Sequence, residues 1–441
     1  MKKKIIFIIF LIISLFTNKA FSLSSSSYLI ANSAMSFFDY EEALTYFKNS
    51  KLNDFNEKDL EKKLIAFVNT GNFTKALNVA DQLLLNDKNN QEAWLVYLIY
   101  AKLNNLDKPF QNFEKLITTE NLDIIDFIFY NSNNKINNNQ KISENIFRIV
   151  SSSSDDDKNE FQNYNYLIFY INLSLVLQNK YDEANYYLGV LYERLQNYKK
   201  AEEHYNKVRI NNENLFFDSQ KRIATNQKNY KSIEDSEKYF FKILNQYPDN
   251  IILNVGLADL YRISNEYLKA VKNYSKLINM EINEDLKWQL LYYRGICYER
   301  LDNWELAEKD FLQSLNINWE SPQVLNYLAY GWIERDIFLD KSLEMLILAH
   351  DKYPESHYIL DSLAWAHFKK NNLEIASKLM EEVVLRAPAE AISLDHLGDI
   401  YFSLGRKREA YYMWKQAIDL AEPEDDILDS VQMKIEKYYA G

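Results

Sequence analysis

Residues 394–418 read LDHLGDIYFSLGRKREAYYMWKQAI. Leu394, Leu397, Tyr401 and Leu404 fall on one face of a helix, and Ala410, Met413, Trp414 and Ala417 on one face of another. Gly405 lies between the two runs, where a helix that ends in a left-handed residue favours glycine. The stretch therefore reads as a helical hairpin with small residues (Gly398, Ala410, Ala417) set among large ones.

Counting back from Ala410, equivalent small residues stand at Ala376, Ser342, Ala307, Ala270, Ser236 and Ala201, at spacings of 34, 34, 35, 37, 34 and 35. A period near 34 is the mark of a solenoid. Five residues before the small residue stand Gly405, Asn371, Asp302 and Asn265, which tolerate a left-handed backbone. Three before it stand Leu373, Leu339, Trp304, Tyr267 and Tyr198, and twelve after it Pro388, Pro354 and Pro248, which stop the second helix. Two antiparallel helices approach closely only where both lack bulk, with aromatic rings filling the space beside the contact. Each hairpin has an apolar face that it cannot bury alone, so the repeats stack.

The joint spacing resembles the tetratricopeptide repeat (TPR). Residues 391–423 supply Leu394, Leu397, Gly398, Tyr401, Ala410, Trp414, Ala417 and Pro423, and residues 288–315 supply Leu291, Gly295, Tyr298, Ala307 and Phe311. The pattern breaks at Arg294, where leucine is expected, and at a one-residue insertion before Ser342. The resemblance implies an all-α, right-handed solenoid of TPR hairpins. The order of units from 288 to 420 further resembles the tail of exported or envelope-associated bacterial TPR proteins, some of them lipoproteins. That family implies a Gram-negative envelope location and a scaffold role.

Toward the N-terminus the repeat weakens. Residues 23–120 read as TPR-like units, with Ala43 and Ala76 at the small position, Tyr40 and Phe73 three residues before them, and Gly71 in a turn. A third unit starts near Gln91 with Trp94, but Phe110 takes its small position. Residues 121–160 read as degenerate helices and loops, the loops being NSNNKINNNQ and SSSSDDDKNE. A helix follows at about 163–178, then a turn with Asn179 and Ala184. The main array is expected over 161–424, and 425–441 is expected to be a polar capping helix.

The composition fits. The 441 residues include only 8 Gly and 6 Pro, which argues against an all-β fold, and 15% aromatics, which supply material for a core. At the N-terminus three lysines precede an apolar run, Ile5 to Phe16, followed by Ala20-Phe21-Ser22. This reads as a cleaved signal peptide over 1–22, with an uncleaved anchor as the alternative. Cleavage would remove Lys2, Lys3, Lys4 and Lys19, leaving 47 basic against 63 acidic residues, a net charge of −16. Such a chain is a poor ligand for nucleic acid or anionic lipid, and membrane contact is expected only by association or through an uncleaved N-terminus. Cys297 stands alone and reads as a small core residue.

No HExxH, GxSxG or phosphate-binding loop motif occurs, and no CxxC pair. The histidines His204, His350, His357, His367 and His396 have no metal-ligand spacing. Paired carboxylates are too common here to mark a glycosidase. No catalytic residue, metal or cofactor is assigned.

The remaining candidate surface is the groove that first helices line in TPR arrays. Positions 5 and 9 of the repeat point the same way. They read Tyr292 and Ile296, Asn326 and Tyr330, Asp361 and Trp365, Asp395 and Asp399, with Glu299, Arg300 and Lys369 nearby. An aromatic and acidic strip suits a protein or peptide partner, a basic one included, and equally suits stacked sugar rings. Alternatively, Tyr330 and Trp365 pack between repeats. The basic clamp of cytosolic TPR co-chaperones is matched by Asn326 alone. Arg406, Lys407 and Arg408 read as a solvated corner. The sequence thus points to a periplasmic, non-enzymatic scaffold. The rival readings are a binder of envelope polysaccharide or of its export machinery, and an inner-membrane-anchored adaptor.

Overall fold

The computed structural model describes residues 23–49, 57–115, 123–132, 135–152, 160–422, 425 and 427–439. The expected signal, 1–22, and most of SSSSDDDKNE lie outside the described residues. Those residues form twenty-four helices and no strand, with one isolated antiparallel bridge between Tyr130 and Ile136. The chain divides into two compact units, one ending at Ser236 and the other beginning at Glu237.

The C-terminal unit contains five hairpins. They pair Ile251–Ile263 with Tyr267–Ile278, Glu284–Arg300 with Trp304–Ile317, Pro322–Glu334 with Leu339–Lys352, His357–Lys369 with Leu373–Arg386, and Ala391–Ser403 with Lys407–Leu420; Leu428–Tyr439 follows. Asn250, Asn283, Asn303 and Ser356 start helices by accepting the backbone N–H three residues on. The expected left-handed residues terminate first helices: Asn265, Asp302, Asn371 and Gly405 have φ of 60°, 57°, 59° and 79°. This turns the N–H of Glu266, Asn303 and Arg406 back onto the carbonyls of Tyr261, Tyr298 and Tyr401, each at 2.9 Å. The insertion before Ser342 is absorbed by two left-handed residues, Asp336 and Phe338, at 52° and 51°.

The small positions are where helices touch. Ala201, Ser236, Ala270, Ala307, Ser342, Ala376 and Ala410 are all fully buried. Among the described residues the hydroxyls of Ser236 and Ser342 have no hydrogen-bond partner, so these sites select for volume rather than polarity. Across three of the hairpins a ring lies against a glycine. A Cβ on Gly398 would stand 2.4 Å from Trp414, on Gly295 2.6 Å from Phe311, and on Gly189 2.4 Å from Tyr205.

Arg294, at the expected leucine position, forms a buried fork instead. Its Nε and Nη2 donate to Asp310 at 2.7 Å each, and Nη1 to Ser275 at 2.9 Å. A planar guanidinium satisfied by a bidentate carboxylate fills the place of an apolar side chain.

In the N-terminal unit Leu23–Ser36 packs with Tyr40–Asn49 and Glu57–Asn69 with Phe73–Asn86. Gln91–Leu103 is followed by a seven-residue helix, Lys108–Glu114, where Phe110 occupies the small position and packs against Phe129 at 6.1 Å. Asp123–Phe129 leads into the bridged loop, which the buried Asn137 fastens by donating to Ile128 and Tyr130 carbonyls, both at 3.1 Å. Asn139–Ser152 pairs with Glu160–Leu177, and Asp182–Arg194 with Tyr198–Tyr205; Glu213–Tyr230 follows, and Ile233–Leu244 contains the boundary at Ser236.

Glu160–Leu177, apolar on nearly every side, is sandwiched. It packs on Asn139–Ser152 and also on the first helices Glu57–Asn69 and Gln91–Leu103. Asn165 accepts from Tyr40 at 2.9 Å, Asn172 donates to Asn69 at 3.2 Å, and Tyr170 donates to Glu92 at 3.2 Å. The first helices Glu57–Asn69 and Gln91–Leu103 are thus covered by the chain itself.

Ala376→Leu, in a fully buried contact, should cost about 1–3 kcal/mol by overpacking. Urea unfolding reads the cost, and hydrogen exchange should confine the damage to adjacent hairpins. An unchanged midpoint would refute the repeat register.

Candidate functional site

The strip runs along four consecutive first helices of the C-terminal unit, and the structure divides it in two. In its upstream half Tyr292, Asn326 and Tyr330 are half-buried. The Tyr292 ring meets Tyr293 at 5.2 Å and Tyr327 edge-on at 5.5 Å. Burial pushes the Tyr292 and Tyr330 hydroxyls upward in pKa, with Tyr327 adding to the first and Glu334 and Asp361 to the second, so both remain protonated donors. Among the described residues no group hydrogen-bonds the hydroxyls of Tyr292, Tyr327 or Tyr330. Ile296 is buried. Arg300 is exposed and lies 3.6 Å from Glu299, and Lys369 donates to Asp336 of the preceding hairpin at 3.0 Å.

The downstream half is internal. Trp365 is 7% exposed, which corrects any reading of it as an open anchor. Its ring stacks on Phe368 at 4.6 Å and on His396 at 4.0 Å, and its Nε1 donates to Glu334 at 2.7 Å. It therefore packs between repeats. Asp361, 8% exposed, holds His396 Nδ1 through Oδ2 at 3.1 Å, while its Oδ1 is buried without a partner. Asp395 and Asp399 share one cation, Lys434 of the last helix. Its Nζ lies 2.7 and 2.9 Å from the two oxygens of Asp395 and 2.8 Å from Asp399 Oδ2, while Asp399 Oδ1 accepts from Trp414 Nε1 at 3.0 Å.

The electrostatics follow from this packing. Burial and Asp395 raise the Asp399 carboxyl, against the pull of Lys434 and His396. Burial alone would lower His396, but the charge and hydrogen bond of Asp361, with Asp395 and Asp399 behind it, leave it above its ordinary value. His396 and Lys434 are the site residues that sequence reasoning missed. The signal was a basic or imidazole side chain 35 or 39 residues after a position-5 aspartate.

Two further expectations change or sharpen. Arg406 is a clamp, not a solvated corner. It sits 3.7 Å over the Tyr401 ring and donates to Glu381 at 3.1 Å and Glu409 at 2.9 Å, and Tyr401 donates to Glu381 at 2.9 Å. Lys407 and Arg408 are exposed. Cys297 is fully buried, and burial pushes its thiol up to about 12, where thiolate chemistry is suppressed. Among the described residues no group of three His, Cys, Asp or Glu is arranged to hold a metal ion, and no helix is long and apolar enough to cross a membrane.

Comparison with known proteins places residues 183–212 in a match to the tetratricopeptide repeat family. A TPR repeat-containing protein of Pseudomonas aeruginosa is 25% identical over 223 residues, 49% of this chain and 36% of its own length. A TPR repeat-containing protein of Methanocaldococcus jannaschii is 24% identical over 396 residues, 78% of this chain and 67% of its own. The chain thus spans little more than a third of the first relative and two thirds of the second. Among solved structures, a tetratricopeptide repeat protein from Parabacteroides merdae is 20% identical, covering 57% of this chain and 98% of that one, with a TM-score of 0.44. Yeast Tom70 is 15% identical, covering 95% and 96%, with a TM-score of 0.41.

The histidines give the stability a pH dependence of opposite sign in the two units. With its folded-state pKa raised, His396 contributes stability that is full below about pH 6.5 and lost as pH rises through the folded value. His204 is pushed down to about 3 by burial and by Lys207 and Lys200, so acid below about pH 6.5 charges the unfolded chain first and weakens its unit. Hydrogen exchange across a pH series should show the 357–403 contacts loosening in alkali, and His396→Gln should abolish that trend. A wild-type contact insensitive to alkali would refute the Asp361–His396 assignment.

Proposed function

We propose that this chain, an array of tetratricopeptide repeats, is a non-enzymatic periplasmic scaffold. In this reading it holds a protein or peptide segment along the upstream first helices of its C-terminal unit, in the service of envelope assembly or export. The observation that carries the reading is the row of unengaged, protonated hydroxyls on Tyr292, Tyr327 and Tyr330, set in half-buried rings on two consecutive first helices. Rings supply apolar contact at low entropic cost, and hydroxyls supply donors for the carbonyls of an extended segment. Stacked hairpins hold these groups rigidly, which lowers the ordering cost of binding. The acidic balance of the chain, −12 overall, favours encounter with a basic partner. Export is supported by the lysine-led apolar start of the sequence.

Replacing all three tyrosines with phenylalanine removes the donors and keeps the rings. Each lost hydrogen bond is worth about 0.5–1.5 kcal/mol, so crosslinked recovery of the envelope partner should fall at least ~10-fold. Full recovery by the triple variant, with its folding intact, would refute the strip as the binding surface. Retention of the wild type on a glycan column, lost in the triple variant, would favour the polysaccharide reading.

Export has its own check. N-terminal sequencing of protein from cells should begin near Leu23. Intact Met1 in the membrane pellet would replace the cleaved signal with an anchor.

A further inference from the structure

We infer that the Asp395–Asp399 pair is a docking subsite for a lysine-bearing amphipathic helix, and that the chain's own last helix, Leu428–Tyr439, is a replaceable occupant of it. The inference extends the scaffold reading to a second partner surface, downstream of the tyrosine row.

The subsite requires a cation. Asp395 and Asp399 stand one turn apart on the same helix, so uncovered they repel each other. The Lys434 ammonium has three donors, and its three contacts at 2.7, 2.9 and 2.8 Å satisfy both carboxylates. A second acceptor, independent of this pair, lies one repeat upstream. Asp361, more than nine-tenths buried, keeps Oδ1 unpartnered while Oδ2 holds His396. That acceptor is buried in the contact between the two first helices.

The present occupant is lightly held. Among the described residues of Leu428–Tyr439 only Val431 is buried, with Ile435 half-buried below it, and Met433 is 63% exposed. The first helix beneath it, Ala391–Ser403, buries nine residues. The helix before it ends at Leu420 with Ala421 extended, at φ −62° and ψ 133°, and Pro423 bars a continuous helix in the sequence. The occupant is therefore a tethered element, attached through a break, whose contacts include one buried valine, two partly buried isoleucines and the two ion pairs of Lys434.

Its face defines what else fits. Ile427, Val431 and Ile435 recur every four residues, with Lys434 beside the last. A partner helix with that apolar spacing and a lysine seven residues after the first apolar position presents the same groups, a helix-in-groove mode of recognition. The tethered helix competes at high effective concentration, so a free helix binds weakly until the tether is loosened.

The probe is a labelled synthetic peptide of residues 427–439, ILDSVQMKIEKYY, titrated against the full chain. Lys434→Ala should bind it at least ~10-fold more tightly than the wild type, because the vacated fraction of the subsite rises. Adding Asp395→Asn and Asp399→Asn should abolish that gain, and a peptide carrying Lys434→Glu should bind neither protein. Should Lys434→Ala fail to fold, Val431→Ala loosens the helix while leaving the carboxylates paired and gives the same comparison. A folded variant that leaves the peptide unbound, or binds it no better than the wild type, overturns the inference and makes the helix a fixed cap. The tyrosine-to-phenylalanine variant reads the other surface separately, so each proposal fails on its own result.

Discussion

A close approach of two helices at small residues is the contact on which the hairpins depend, and in three of them a ring is laid against a missing side chain. Trp414 lies where Gly398 would carry a Cβ, and Phe311 and Tyr205 do the same over Gly295 and Gly189. The contact lets two helices approach to backbone distance, and the ring fills the gap this leaves beside them. The polar rings then reach across to a carboxylate on the first helix. Trp414 donates to Asp399 at 3.0 Å, Tyr205 to Glu193 at 2.7 Å and Tyr274 to Asp259 at 2.6 Å. Core and surface are therefore coupled at one residue. Asp399 holds a core tryptophan with one oxygen and the last helix with the other.

Volume is what a sequence displays most directly, which is why the small residues and their period were legible. The turns were legible only where a left-handed backbone is cheap. Gly405, Asn371, Asp302 and Asn265 announce it, but Phe38, Gln196 and Phe338 adopt it as well, at 57°, 57° and 51°. There the closure of the hairpin overrides the local preference, and residue type carries no warning. The fading of the pattern over residues 121–160 also has a physical cause. Glu160–Leu177 packs across the first helices Glu57–Asn69 and Gln91–Leu103, and in the short helix Lys108–Glu114 Phe110 packs against Phe129 where the repeat expects a small residue.

The strip was legible in position and not in exposure. Positions 5 and 9 share a direction on their own helix, but the following first helix decides whether they are covered. Trp365 is buried because His396 stacks on it, and the Asp395–Asp399 pair is covered because Lys434 reaches both carboxylates. Neither contact has a signature within a single repeat. Arg294 shows the same limit inside the core, since its apolar position became tolerable only through Asp310, sixteen residues away.

The two halves of the strip differ in what stands at position 5 of each repeat. Asp395 and Asp361 are each matched by a group from the next first helix or its stand-in, Lys434 and His396. One repeat earlier the acid becomes Asn326, whose Oδ1 is buried and unmatched, and one repeat earlier still it becomes Tyr292. An amide or a phenol demands no counter-charge, so nothing in the chain needs to be committed to covering it. The hydroxyls of the upstream half are left unengaged for that reason, whereas the carboxylates downstream could not be left so without the cost of uncompensated buried charge. Internal charge pairing thus ends along the strip at the point where its position-5 residues become uncharged.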